Sequence, residues 1–184
     1  MSWPPSRVEE GAAAARGEDG VAALVVSARE GDRDAFGALY FRFHRLVHGI
    51  LLARLSRADA EDLAQEVFLA AWERLDDLRD AGGFGGWVAA IARNRATSHL
   101  RARREGEALP DDLPGGTPSE AEALAVLSAI RLLPEAYREP LVLRLVEGMT
   151  GPEIARQTGL TEGSVRVNLH RGFAKLREIL GGSP

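Results

Sequence analysis

From Val21 onward apolar residues recur at steps of three and four: Val21, Leu24 and Val25, then Phe36, Leu39, Tyr40, Phe43, Leu46, Val47, Ile50 and Leu51. Such spacing lays them on one face of a helix and predicts two helices meeting near Gly31 and Asp32. A third helix is expected over about 58–76, N-capped by Asp59, with Ala60, Ala64, Val67, Ala71 and Leu75 as its buried stripe. Its opposite face carries Asp62, Gln65, Glu66, Leu69 and Glu73. The run Gly82-Gly83-Phe84-Gly85-Gly86 predicts a loop with Phe84 exposed. A fourth helix then starts with Trp87, Ile91, Ala92 and Leu100 and ends in an arginine cluster. Trp72 and Trp87, at helical spacing, are expected in the core rather than stacked on bases. Period-two runs flanked by hairpin dipeptides are nearly absent, so the expected class is all-α.

Two stretches lack periodicity. Residues 1–20 combine Pro4, Pro5, an alanine run and three glycines, which predicts a disordered tail. Residues 106–120 combine prolines, glycines and acids, which predicts an acidic flexible linker. The expected organisation is therefore two small helical domains, an N-terminal bundle over 21–105 and a C-terminal domain over 121–181.

Within the second domain the local signals are dense. Thr150, Pro152 and Glu153 offer a capping hydroxyl, a proline in the first turn and a glutamate that can return a bond to the cap. The helix so begun ends at Gly159, where glycine can adopt a left-handed conformation, and Thr161 can cap a second helix whose buried face continues through Val165 and Leu169. A short helix, a glycine turn and a longer helix form the helix-turn-helix pattern, whose second helix enters the DNA major groove. Its exposed positions include Arg166, Val167, Asn168, His170 and Arg171. Arginine can bond guanine bidentately, asparagine can pair with adenine, and valine can touch a thymine methyl.

Composition narrows the chemistry. The 184 residues contain no cysteine and four histidines, so disulfides, thiolate zinc sites and cysteine nucleophiles are excluded, and no metal or cofactor site is assigned. Ser98 and His99 are adjacent and point about 100° apart on a helix, and Asp59 and His48 have no orienting third group; no catalytic residue and no reaction are assigned. No apolar run approaches the roughly 20 residues of a membrane span, and the N-terminus lacks a signal-peptide pattern, so a cytoplasmic protein is expected.

The formal charge of −4 speaks against nucleic acid until it is divided along the chain. Residues 59–80 hold eight acids against two arginines, and 84–106 hold five arginines against one glutamate. Residues 105–122 hold six acids and no base, while 162–180 carry four bases against two acids. An acidic, basic, acidic, basic order implies faces meant for different partners.

With these elements placed, the chain resembles the bacterial RNA polymerase sigma factors of the sigma-70 family, extracytoplasmic-function (ECF) group. The resemblance is carried by the segment from Asp59 through Ala60, Glu61, Asp62, Leu63, Ala64, Gln65, Glu66, Val67 and Phe68 to Trp72, by Phe84 to Arg95 followed by Leu100 to Arg104, by Leu133 to Arg138, and by Glu153-Ile154-Ala155 with Gly163-Ser164-Val165-Arg166. It implies that 21–105 is a region 2-like domain and 121–181 a region 4-like domain. By the resemblance, Asp62, Gln65, Glu66 and Leu69 bind core RNA polymerase, whose largest-subunit clamp helices and flap are the expected docking sites. Phe84, Arg93, Asn94, Arg101 and Arg104 would meet the minus-ten element, with the loop at about 76–86 and Asn94 forming a pocket for a flipped base. Ser164, Arg166, Val167, Asn168, His170 and Arg171 would read the minus-thirty-five element. Ser98 stands where the family usually has an aspartate, and Gly82-Gly83 where it more often has a polar or acidic pair. The partners implied are core polymerase, promoter DNA and an anti-sigma protein, with no membrane. The competing reading is a helix-turn-helix regulator that does not bind core polymerase.

Overall fold

The computed structural model describes residues 18–105 and 118–181. Most of the expected tail and linker lies outside the described residues, but Glu18–Gly20 and Pro118–Glu120 are already helical. Among the described residues there are eight α-helices, two short 3-10 turns and no strand. The all-α expectation holds.

Helix α1 (Glu18–Arg29) buries Val21, Val25 and Ala28 and ends at Gly31, whose φ of 93° needs a residue without Cβ. The Asp32 carboxylate then accepts from the backbone N–H groups of Asp34 and Ala35 at 2.9 and 3.1 Å and starts α2 (Arg33–Leu52). This helix is the axis of the molecule: Leu39, Leu46, Val47, Ile50 and Leu51 are wholly buried. Helix α3 (Arg57–Glu73) is capped by Ser56, not by Asp59. The Ser56 oxygen accepts from the Asp59 backbone N–H while its hydroxyl donates to the Asp59 carboxylate at 2.8 Å, so Asp59 serves as the third helical residue of a reciprocal cap. The expected stripe Ala60, Ala64, Val67, Ala71 and Leu75 is buried.

The 3-10 turns Leu75–Asp77 and Ala81–Gly83 lead into α4 (Phe84–Glu105), which starts three residues earlier than the glycine run suggests. Phe84 is accordingly not an exposed loop residue: it is fully buried, with its ring 5.2 Å from Phe43 and 5.8 Å from Trp87. Gly85 belongs to the first turn because a Cβ there would come within 2.7 Å of the Phe43 ring. Trp72 and Trp87 pack against the core as expected, Trp72 edge-on to Phe36 at 4.9 Å.

The C-terminal half comprises α5 (Pro118–Arg131), α6 (Glu135–Leu145), α7 (Gly151–Thr158) and α8 (Glu162–Gly181). It does not stand apart from the N-terminal bundle. Helix α6 lies on α2 and α7 on the start of α4, and one continuous apolar core includes Val47, Ile50, Leu141 and Leu143.

Candidate nucleic-acid and polymerase interfaces

The helix-turn-helix is built as its residue types require. Thr150 Oγ1 accepts from the Glu153 backbone N–H at 3.4 Å, and the Glu153 carboxylate accepts from the Thr150 N–H at 2.7 Å. The Thr150 N–H and the Thr150 hydroxyl, each donating to the Glu153 carboxylate at 2.7 Å, hold that carboxyl below the usual range. Gly159 takes the left-handed conformation with φ 75°. Thr161 Oγ1 caps α8 by accepting from Ser164 N at 3.1 Å, and its hydroxyl donates to Ser164 Oγ at 2.9 Å, so Ser164 works in the cap. Val165, Gly172 and Leu176 face inward on α8. Arg166, Val167, His170 and Arg171 are exposed and Asn168 is half-buried, so one outward surface carries the expected reading set. Gly172 escaped the sequence reading: a Cβ there would come within 2.9 Å of Leu141 and 3.2 Å of Tyr137, which sets how closely α8 approaches α6. A lone glycine inside a helical pattern was the available signal.

On α3, Asp62, Gln65, Glu66 and Leu69 are all exposed, Leu69 to 60%. They form a contiguous face because 62, 65, 66 and 69 recur at helical spacing. An exposed leucine within an acidic surface suits a partner with basic groups around an apolar contact.

The basic side of α4 is more entangled. Positions 93, 94, 101 and 104 fall within an arc of about 100° around the helix. Asn94 and Arg101 are exposed, and the Arg104 side chain lies outside the described set. Arg93 is half-buried and bound to Glu139 of α6, Nε and Nη2 donating at 3.1 and 2.7 Å. That hydrogen bond raises the Arg93 guanidinium above its ordinary range, against the opposing effect of burial. Arg95 lies 3.5 Å from Glu66, and Arg103 2.7 Å from Asp59. The acidic and basic blocks thus pair partly with each other, which a count of charges along the chain does not reveal.

An open cleft of about 700 Å³ lies between α2, the 80–86 turn and α7, lined by Arg42, Asp80, Gly82, Gly83, Arg156 and Gln157 among others. Asp80 Oδ1 accepts from Gly82 N at 3.1 Å and shapes the turn. Asn94 is not among the lining residues, so the structure does not bring it together with the turn in this cleft. Burial, together with the Arg156 charge across the cleft, lowers the Arg42 guanidinium below its ordinary range. Among the described residues no group of histidines and carboxylates could hold a metal ion, and no helix is long and apolar enough to cross a membrane.

Residues 39–105 match the family description "Sigma-70 region 2" and residues 123–176 match "Sigma-70, region 4". The chain is 36% identical over 163 residues to the RNA polymerase sigma factor CarQ of Myxococcus xanthus, covering 83% of this chain and 93% of CarQ. It is 33% identical over 170 residues to the ECF RNA polymerase sigma factor BldN of Streptomyces coelicolor, covering 85% of this chain; the chain spans 64% of BldN's length. Among solved structures, CnrH in complex with the cytosolic domain of CnrY superposes with a TM-score of 0.64 at 29% identity, covering 89% of this chain and 99% of that one. A regulator that ignores polymerase is not favoured by a match to both regions. The chain therefore belongs to the sigma-70 family, as an RNA polymerase sigma factor of the ECF group.

Proposed function

We propose that the chain docks on core RNA polymerase through Asp62, Gln65, Glu66 and Leu69 and places two promoter-reading surfaces on DNA. The observation that carries this is the division of exposed faces: an acidic, leucine-centred face on α3 and a capped helix-turn-helix presenting Arg166, Val167, His170 and Arg171. Helix α8 reads the minus-thirty-five element by base-edge contacts. The basic side of α4, with Arg93, Asn94, Arg101 and Arg104, follows the minus-ten strand, each neutralised phosphate adding a salt-dependent increment to affinity. Phe84 leaves this set, because its ring fills the core. The chain supplies recognition, and the polymerase supplies the chemistry.

An anti-sigma protein is a candidate partner, since the similar protein CnrH was solved in complex with CnrY. The acidic α3 face and the grooves between the two halves are the surfaces such a partner would compete for. Reconstitution with core polymerase tests the reading: run-off transcription on a fragmented genomic library should yield discrete start sites dependent on this chain. A chain that binds DNA but never shifts core polymerase in size-exclusion would defeat it.

A further inference from the structure

Helix α1 carries a residue that neither the docking face nor the reading faces use. Arg29, in its last turn, sends its guanidinium across to the turn that follows α3. Nε and Nη2 donate to the Leu75 carbonyl at 3.2 and 3.1 Å, and Nη2 also donates to the Leu78 carbonyl. Among the described residues the one carboxylate within ion-pair reach, Asp76, lies 3.9 Å away and is 91% exposed. An ion pair so exposed and so long contributes little. The charge of Arg29, whose side chain is 28% exposed, is therefore directed at main-chain oxygens rather than at an acid.

The turn held in this way has a sharp division between inside and outside. The Leu75 and Leu78 side chains are buried, while Asp76, Asp77, Arg79 and Asp80 are exposed. Asp80 then accepts from Gly82 N at its carboxylate and from Gly83 N at its carbonyl, at 3.1 and 3.0 Å, and α4 begins at once with Phe84. Two adjacent glycines give such a segment little stiffness of its own. Its backbone is instead fixed from behind, by two leucines in the core and by charge-assisted bonds from a planar fork. A surface fixed before its ligand arrives loses less freedom on binding and discriminates better than one that adapts.

We propose that Arg29 is a positioning residue for promoter reading: by clamping the Leu75 and Leu78 carbonyls it holds the 75–83 turn, with its outward polar groups and the start of α4, in one arrangement toward the minus-ten element. The reading half rests on the assignment of the loop at about 76–86 to that element; the clamp half does not. Arg29 acts through the turn and not on DNA. Its loss should therefore blur the choice among minus-ten bases rather than lower binding uniformly.

The test uses the full chain with two substitutions, Arg29→Gln, which removes the charge and the fork, and Arg29→Lys, whose ammonium stops about one bond short of the Nη2 position. In the free chain, amide hydrogen exchange over 75–83 should quicken about tenfold in Arg29→Gln while α8 exchanges as in the wild type. With core polymerase, open-complex formation is then measured on a mapped promoter and on its single-base minus-ten variants. A wild-type preference of about tenfold per base should shrink to about twofold in Arg29→Gln. Arg29→Lys should fall between. Co-elution with core polymerase and affinity for a minus-thirty-five duplex should not change. Unaltered exchange over 75–83 in a folded Arg29→Gln overturns the clamp. Faster exchange with the base preference intact, or an equal loss on matched and mismatched elements, overturns the reading role and leaves the clamp standing. Should Arg29→Gln lose helical content, Arg29→Lys decides by the same two readings, and wild-type values in both overturn the proposal. A wild type indifferent to minus-ten substitutions would defeat the minus-ten assignment itself, and with it the reading role, while the exchange measurement still decides the clamp.

Discussion

Arg103, near the end of α4, donates to the Asp59 carboxylate in the first turn of α3 at 2.7 Å, and the same carboxylate accepts from the Ser56 hydroxyl. One acid thus closes a helix cap and ties the basic helix to the acidic one. His99 Nε2 stands 3.5 Å from its other oxygen. Asp59→Ala should lower the unfolding free energy by about 0.5–1.5 kcal/mol, the pair being a quarter to a third exposed. Urea titration should show most of that loss surviving in high salt, because the Ser56 bond is unscreened; a loss abolished by salt would reduce Asp59 to a surface charge.

Leu69 and Glu66 should behave in the opposite way. Both are exposed, so Leu69→Ala and Glu66→Lys should each leave stability within about 0.5 kcal/mol of the wild type. Co-elution with core polymerase should fall sharply for both. Retained co-elution of the double variant would remove this face from the docking surface.

Arg171→Ala should weaken binding to a mapped minus-thirty-five duplex by about 1–3 kcal/mol if the guanidinium reads a guanine edge. Helical content should not change, since Arg171 is exposed on α8. Arg177→Ala, farther along the same helix, should cost less and uniformly across sequences. Gel-shift titrations on matched and mismatched duplexes separate the two.

Phe84→Ala should cost about 3–5 kcal/mol of stability, the price of a cavity beside Phe43 and Trp87. Thermal melting reads this directly. A variant that melts normally yet fails to open promoters would restore Phe84 to the DNA surface.

Acid should destabilise the fold through two groups whose effects have the same sign. The Thr150 bonds lower the Glu153 carboxyl, so its contribution is complete above the ordinary glutamate range and is lost as pH falls through its depressed native value. Burial, with the neighbouring His48, lowers the His44 imidazole, so the unfolded chain takes up that proton first and stability falls as pH drops through the ordinary histidine range. Urea midpoints should decline in two steps. His44→Gln should flatten the upper step, and Glu153→Gln should flatten the lower one.

Much of this architecture could be read from local chemistry. The capping box at Thr150 and the turn at Gly159 depend on residues within a few positions, so spacing alone located them. The buried stripe of α3 followed for the same reason. What escaped was set by contacts distant along the chain. Phe84 sits among glycines, a loop pattern, yet the Phe43 ring draws it inward. Asp59 was a sound cap by type, but Ser56 three residues earlier does the capping. The Arg93–Glu139 pair joins positions 46 apart in sequence, and no periodicity encodes it. Gly49, one of two glycines in α2, marks a different contact, since a Cβ there would come within 2.6 Å of the Leu143 side chain on α6.

Gly172 has a further consequence for how such a protein can change. Because α8 is seated on α6 at Gly172, with Val165 and Leu176 buried on the same helix, its position does not depend on the exposed Arg166, Val167, His170 and Arg171. Those four can be exchanged for other side chains while the helix keeps its depth and angle. On the proposed assignment of these four to the minus-thirty-five element, the promoter read by this factor is free to drift without jeopardising the scaffold, and a new regulon is a few surface substitutions away.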